Sequence, residues 1–332
     1  MRRPVAARYT EQLIPLLTAA RAGEREGCGR VVFSSGDLSR FRKQTPGKFW
    51  AFSALRTAAE SLFATLFPSD CRLCGAPLLE ISRLPVCRAC LESVRPVDAA
   101  TCWVCGERLF GPHPVAEDGQ LRCGICRRFE PPFERACAYG AYDGSLRGLI
   151  HLLKYQHVRP AARVLGGMLA EVLAGILDDM RAEPALLVPV PLHAGKLRQR
   201  GFNQAELLAR VALVRLEKDA ASAGRLRLAP GVLERRRPTE SQTGLTRHQR
   251  RENIHGAFRV AQPEEIAARA VVLVDDVFTT GTTVGECARL LRRSGAARVY
   301  VATVARVLKA EAGRVERDTE GSKDTLAHAA RA

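Results

Sequence analysis

The run Ala270-Val-Val-Leu-Val-Asp-Asp-Val-Phe-Thr-Thr-Gly-Thr-Thr-Val284 decides how the rest of the chain is read. Val271 to Val274 are aliphatic and mostly β-branched, the pattern of a strand buried on both faces of a parallel sheet. Asp275 and Asp276 end that run, so the sequence places two carboxylates at the carboxyl edge of the sheet. Thr279 to Thr283 form a tight turn, where Gly281 lets the backbone take a conformation that other residues resist. Leu290 and Leu291 lie on the apolar face of the helix that follows, Ser294-Gly295 stop it, and Val299 to Val304 read as the next strand. A strand, a Thr/Gly turn and a helix N-terminus make an anion site: free N–H groups point outward there and the dipole favours a phosphate.

The chemistry narrows the ligand. Neither Gly-x-x-x-x-Gly-Lys-Ser/Thr nor Gly-x-Gly-x-x-Gly forms this turn, which excludes a P-loop and a dinucleotide-binding turn here. Paired acids directly before a phosphate cradle suit a sugar phosphate. Asp275 and Asp276 would accept from ribose hydroxyls, or hold water on Mg²⁺, while Thr279, Thr280, Gly281, Thr282 and Thr283 take the 5′-phosphate. The segment resembles the ribose-phosphate signature of type I phosphoribosyltransferases, which bind phosphoribosyl pyrophosphate. The competing reading is a βαβ unit with a polar turn and no ligand.

Two further stretches belong with this site. Pro189-Val-Pro-Leu-His-Ala-Gly-Lys-Leu-Arg-Gln-Arg-Gly-Phe-Asn-Gln204 follows a strand and opens a helix. It carries Lys196, Arg198 and Arg200 on what reads as a loop between Gly195 and Gly201. Ligands of open α/β sheets bind outside the carboxyl ends of strands, so these cations are placed to meet a second phosphate group such as pyrophosphate. Asn203 is well typed to cap the helix after it. Arg235 to Asn253 is long, polar and basic, and reads as a mobile lid, an interaction arm or simply a solvated loop. Its arginines suit bidentate contacts to phosphate.

The chain has 332 residues, room for one good-sized core and a smaller module, and a formal net charge of +16. That balance favours nucleic acid, phosphate-rich ligands or an anionic surface as partners. No apolar run is long enough to span a bilayer, and Leu13-Ile14 and Leu16-Leu17 are broken by Pro15, so no secretory signal is read.

Eight of the 11 cysteines fall into four Cys-x-x-Cys pairs: Cys71/Cys74, Cys87/Cys90, Cys102/Cys105 and Cys123/Cys126. With no signal sequence, a reducing cytoplasm and metal binding fit better than disulfides. Cys71-Arg-Leu-Cys74-Gly75 and Cys102-Trp-Val-Cys105-Gly106 have the form of zinc knuckles, and the other two pairs supply the returning ligands. Eight thiolates suit two tetrahedral, structural Zn²⁺ ions. Simple pairing gives each ion two successive pairs; spacing alone leaves a crossed arrangement open. Redox chemistry is disfavoured because no βαβ context surrounds the pairs. His113 reads as a loop residue, and Cys28, Cys137 and Cys287 as small residues of a tail, a strand and a helix.

The organisation follows. Residues 1–48 are basic and irregular and read as poorly ordered; residues 49–67 form an amphipathic helix carrying Trp50, Phe52, Leu55, Ala59, Leu62, Phe63 and Leu66. Residues 68–133 are the zinc module, 134–309 an α/β domain with a parallel sheet, and 310–332 a tail. Within the α/β domain we expect a strand over Ala136–Tyr142, a helix capped by Asp143 or Ser145, and a helix over Val164–Met180. A strand over Ala185–Pro191, a helix over Phe202–Leu216, and strand pieces near Leu226 and Val232 follow.

Taken together, these blocks resemble the ComF family from about Phe63 to Leu308. The resemblance rests on the Cys-x-x-Cys array, Ile150-His-Leu-Leu-Lys-Tyr155, Val188-Pro-Val-Pro with Arg200-Gly-Phe-Asn-Gln204, Val274-Asp-Asp-Val-Phe-Thr-Thr-Gly-Thr282, and the Arg237 to Asn253 stretch. It implies a double zinc ribbon followed by a type I phosphoribosyltransferase-like domain. It implies binding of phosphoribosyl pyrophosphate with Mg²⁺ through Asp275, Asp276 and Thr279 to Thr283. Asp275, Asp276 and Arg200 are the candidate catalytic residues. For some members it implies a part in single-stranded DNA uptake in natural competence, with protein partners at the inner face of the membrane. A nucleotide-salvage or amide-transfer phosphoribosyltransferase without a DNA role, and a non-catalytic metabolite-binding module, are the alternatives.

Overall fold

A computed structural model describes residues 69–78, 82–97, 100–110, 119–180, 184–238 and 247–308. The expected irregular N-terminus, the 49–67 helix, His113 and the C-terminal tail lie outside these residues. The chain divides into two compact units, Met1–Arg88 and Ala89–Ala332.

Five strands form one parallel sheet in the order β1-β7-β6-β2-β3: β1 Arg135–Ala141, β2 Ala185–Pro189, β3 Leu226–Leu228, β6 Ala270–Phe278 and β7 Arg298–Arg306. Every residue of β2 is buried, as are eight successive residues of β7 and the first five of β6. Such continuous burial requires helices on both faces, which is why these strands read as apolar runs and not as alternations. α3 (Gly144–Tyr155), α4 (Ala161–Asp179) and α6 (Gln204–Leu216) supply the connections on the amino-terminal side, and α9 (Thr282–Arg293) joins β6 to β7. α9 buries Val284, Cys287, Ala288 and Leu291, one stripe at helical spacing.

Several expectations shift in detail. α4 begins at Ala161 because Pro160 sits at its N-cap position, where a missing N–H costs nothing. Asp143 occupies the N-cap position of α3 but makes no side-chain cap bond. The strand near Val232 does not join the parallel sheet. It is β4 (Leu233–Arg235), paired antiparallel with β5 (Phe258–Val260) as a separate hairpin. The polar Arg235–Asn253 stretch therefore lies within the connection of a hairpin. It contains α7 (Arg247–Ile254), and residues 239–246 are outside the described set.

The segment carrying Lys196, Arg198 and Arg200 is not a loop. It folds as α5 (Ala194–Arg200), with the His193 ring accepting from Gly195 N–H at its start and Gly201 left-handed at φ 75 at its end. Short α1 (Arg88–Glu92), α2 (Gly124–Arg128) and α8 (Pro263–Ile266) complete the elements among the described residues.

Topology fixes where a ligand can sit. From β2 the chain moves outward to the edge strand β3, and from β6 it moves the other way to β7. The connections after β2 and β6 therefore diverge between two adjacent strands, leaving a crevice at their carboxyl ends. Val190 N–H donates to Val274 O at 2.9 Å and Asn203 Nδ2 donates to Val190 O at 3.1 Å, which pins that crevice.

Candidate functional site

β6 runs through both acids to Phe278, further than the aliphatic run suggests, because Asp275 and Val277 still pair with Thr303 and Ala305 of β7. Successive strand residues face opposite sides of a sheet. Asp276 meets α3: its Oδ2 lies 2.5 Å from Lys154 Nζ, with side chains 6% and 16% exposed. Burial works against the charge on Lys154, but Asp276, by charge and hydrogen bond, and Asp275, by charge, hold its pKa above the ordinary lysine value. Asp275 has a different environment. Burial first, then the neighbouring Asp276, push its carboxyl up to about 8, against the pull of Lys154. Asp275 Oδ1 accepts from the Asp276 N–H at 2.9 Å.

Cations gather around this pair. Arg235, at the end of β4, feels the charge of Asp275. Lys196 has its pKa lowered by burial and then by Arg235, Arg200 and Lys154, so four cations from three elements, α3, β4 and α5, share one field. Within α5, Lys196 and Arg200 stand one turn apart on one face, while Arg198 lies off it. Arg200 donates to Gln204 Oε1 at 2.5 Å and sits 5.8 Å over the Tyr155 ring. Asn203 caps α6 by accepting from Ala205 N–H at 3.1 Å while its amide holds Val190.

The turn after β6 is short. Gly281 is left-handed at φ 74 and occupies the N-cap position of α9. Thr280 and Thr282 hydroxyls are 2.8 Å apart, and Thr279 is exposed while Thr280 to Thr283 are half-buried. An anion above this turn meets the opening N–H groups of a three-turn helix and several hydroxyls.

Sequence reasoning passed over the roles of Lys154, Arg235 and Arg306. Lys154 left a signal: Leu146, Ile150 and Lys154 are spaced four apart, so the lysine lies on the buried stripe of α3 and requires a buried anion. Arg235 and Arg306 gave none, since each sits at a strand end and only tertiary packing gives it a partner.

The cysteines form two groups, Cys71/Cys74/Cys87/Cys90 and Cys102/Cys105/Cys123/Cys126, with sulfurs in each within 4.8 Å of one another. The simple pairing holds. Zn–S bonds of about 2.3 Å in a tetrahedron put sulfurs about 3.8 Å apart. The Cys74–Cys87 and Cys105–Cys123 separations are 3.6 Å and 3.8 Å, so both groups fit zinc. The two knuckles repeat one geometry. Cys71 N–H donates to Ala76 O and Gly75 N–H to Cys71 O; Cys102 N–H donates to Glu107 O and Gly106 N–H to Cys102 O, all at 2.8 Å. Gly75 and Gly106 are both left-handed, at φ 74 and φ 68. Cys102, Cys123 and Cys126 share one core with Phe133, Val188, Val271, Phe278 and Leu291, so the second group is packed into the sheet.

These features define a phosphoribosyltransferase-like sheet and two cysteine-rich knuckles, and comparisons agree. The model of the phosphoribosyl transferase domain matches residues 207–329. DNA utilization protein YhgH of Escherichia coli K12 is 34% identical over 242 residues, covering 73% of this chain and 98% of its own. YhgH of Salmonella typhimurium matches equally, and Competence protein F of Haemophilus influenzae is 30% identical over 69% of this chain and 93% of its own. The chain belongs to the ComF family. Among solved structures, the allosteric regulatory enzyme of purine biosynthesis matches 44% of this chain and 26% of its own at 22% identity, with a TM-score of 0.26, a likeness too partial to bear on function.

Proposed function

We propose that this protein binds phosphoribosyl pyrophosphate with magnesium at the carboxyl edge of β6 and serves the handling of single-stranded DNA in natural competence. The observation that carries the first half is the convergence of Asp275 and Asp276, a Thr/Gly turn at a helix N-terminus, and the Lys154, Lys196, Arg200 and Arg235 cations. In this reading the ribose hydroxyls donate to a carboxyl oxygen of Asp275, and the 5′-phosphate accepts from the N–H groups and hydroxyls of Thr279 to Thr283. The pyrophosphate lies against Lys196 and Arg200, and Arg198, which lies off that face of α5, has no part in holding it. If the ligand is turned over, an acceptor amine or N-heterocycle attacks C1 of the ribose and pyrophosphate leaves, its charge stabilised by these cations.

Oxygen donors suit magnesium, but Asp276 is engaged by Lys154 and Asp275 is raised in pKa. The ion therefore fits best as a companion of the ligand's own phosphates, where it would neutralise the leaving pyrophosphate. The second half of the reading takes its support from the names of the relatives, DNA utilization protein and Competence protein F, and from the net charge of +16. Partners at the inner face of the membrane belong to the same reading. No helix among the described residues is long and apolar enough to cross a membrane.

Titration calorimetry with phosphoribosyl pyrophosphate and magnesium tests the site. The double variant Asp275→Asn/Asp276→Asn is expected to abolish binding with the fold retained; unchanged affinity refutes the ribose assignment. Pyrophosphate release across candidate amine and heterocycle acceptors then separates an enzyme from a binding module. The engagement of Asp276 by Lys154 favours the module as the second reading, because one of the two acids is already neutralised inside the protein. Single-stranded oligonucleotide binding that falls steeply with salt is the expected signature of the DNA role, and its absence removes that role.

A further inference from the structure

Arg306 ends β7, the strand beside β6, and is only 5% exposed. A buried guanidinium is costly unless anions surround it. Here they come from the second knuckle: Arg306 Nη2 donates to Glu107 Oε2 at 3.1 Å and lies 3.9 Å from Cys105 Sγ. Its Nε and Nη1 have no hydrogen-bond partner among the described residues. Gly106 packs against the same arginine, 3.8 Å from its Cδ to where a Cβ would stand, and 3.0 Å from Ala136 O. A zinc ion held by four thiolates leaves a net negative centre, so the loaded knuckle complements Arg306 beyond what Glu107 alone supplies.

The other face of the guanidinium rests on an aromatic ring. Arg306 Cζ is 4.4 Å from the Phe278 ring centroid, and Val307 N–H donates to Phe278 O at 2.9 Å. Phe133 meets the same ring edge-on, with centroids 6.3 Å apart. Phe278 in turn lies directly beneath the turn: its Cζ is 2.6 Å from where a Cβ on Gly281 would be. An unbroken chain of contacts thus runs from Cys105 and Glu107, through Arg306 and Phe278, to the glycine that opens α9.

We propose that Arg306 is a positioning residue for the phosphate turn, holding Phe278 under Gly281 from the second zinc knuckle. The knuckle is then part of the ligand site's scaffold, and loss of its metal loosens the turn without touching the acids or α5. This inference rests on the reading that the turn takes the 5′-phosphate. Burial of Arg306 makes a lone substitution uninformative, since it strands Glu107. The paired variant Arg306→Met/Glu107→Gln removes both charges together and keeps the volumes close.

The test uses the full zinc-loaded chain and titrates ribose 5-phosphate and magnesium pyrophosphate separately. The paired variant is expected to weaken ribose 5-phosphate at least tenfold and to leave pyrophosphate, assigned to α5, within twofold. Equal loss of both ligands marks general damage and overturns the proposal, as does unchanged ribose 5-phosphate affinity. A second measurement repeats the titration in a Phe278→Leu background. There the paired substitution should have no further effect, because its route to Gly281 is gone; additive losses overturn the proposal. Should the paired variant fail to fold, Phe278→Leu alone decides by the same split between the two ligands. Wild-type protein that binds no ribose 5-phosphate defeats the underlying site reading instead, a result distinct from any of these.

Discussion

Lys154 from α3 and Asp276 from β6 form an ion pair at 2.5 Å with both side chains largely withdrawn from water. It joins the amino-terminal helix layer to the acid pair at the sheet edge. A buried pair of this kind adds little net stability, yet removing one partner leaves an uncompensated charge at a cost of about 3–5 kcal/mol. We expect Lys154→Ala to lose stability on that scale in urea unfolding. Lys154→Met/Asp276→Asn should recover most of it. A Lys154→Ala loss below 1 kcal/mol would show that Asp276 reaches water or another cation.

Asp275 gives the fold a pH dependence whose sign is fixed. Its carboxyl titrates at about 8 in the folded chain against 3.8 ordinarily. Between those values the folded protein retains a proton that the unfolded chain has lost. Its contribution to stability therefore falls as pH rises through that window, and the full cost stands above it. Asp275→Asn removes the cost. The variant should match the wild type in acid and exceed it increasingly towards pH 8; a constant difference across the window contradicts the assignment.

The two cysteine groups should respond differently to loss of metal. Cys102, Cys123 and Cys126 are built into the core that includes Val271 and Leu291, whereas Cys74 is exposed. Cys126→Ser is expected to lower the main thermal transition by several degrees along with its zinc. Cys74→Ser should release zinc from the first group and leave that transition nearly in place. Zinc analysis with circular dichroism melting checks both, and equal shifts for the two variants would contradict the difference in how the two groups are built into the fold.

What was legible in the sequence follows from what each signal depends on. Cys-x-x-Cys spacing fixes ligand pairs locally, and the parallel strands announce themselves because burial on both faces leaves no polar alternation. The turn at Gly281 was legible for a similar reason, since its composition answers to local backbone geometry. The α5 helix was missed because Gly195, Gly201 and three cations mask its roughly two turns of periodicity; the His193 cap that starts it is an uncommon one. The β4–β5 hairpin was missed because its strands have three residues each and are separated by the basic connection. Arg306 was invisible because its partners, Glu107 and Phe278, are distant in sequence or on another strand. The strand reading stopped at Val304, just before it.

Gly281 is where backbone and packing requirements coincide, and substitution there separates the phosphate turn from the acids. At φ 74 any side chain strains the backbone, at about 1–2 kcal/mol. A Cβ would also stand 2.6 Å from Phe278 Cζ, so the ring must move or the turn must open. The ring is held by Arg306 above and Phe133 at its edge, which leaves the turn as the part that yields. Gly281→Ala should therefore weaken ribose 5-phosphate more than tenfold while Asp275, Asp276 and Lys154 keep their arrangement. Combining it with Phe278→Leu gives the methyl room and should return part of the affinity, although the backbone strain persists. Calorimetry on the three variants measures this. Equal affinities for Gly281→Ala and the wild type would mean that the phosphate does not rest on this turn.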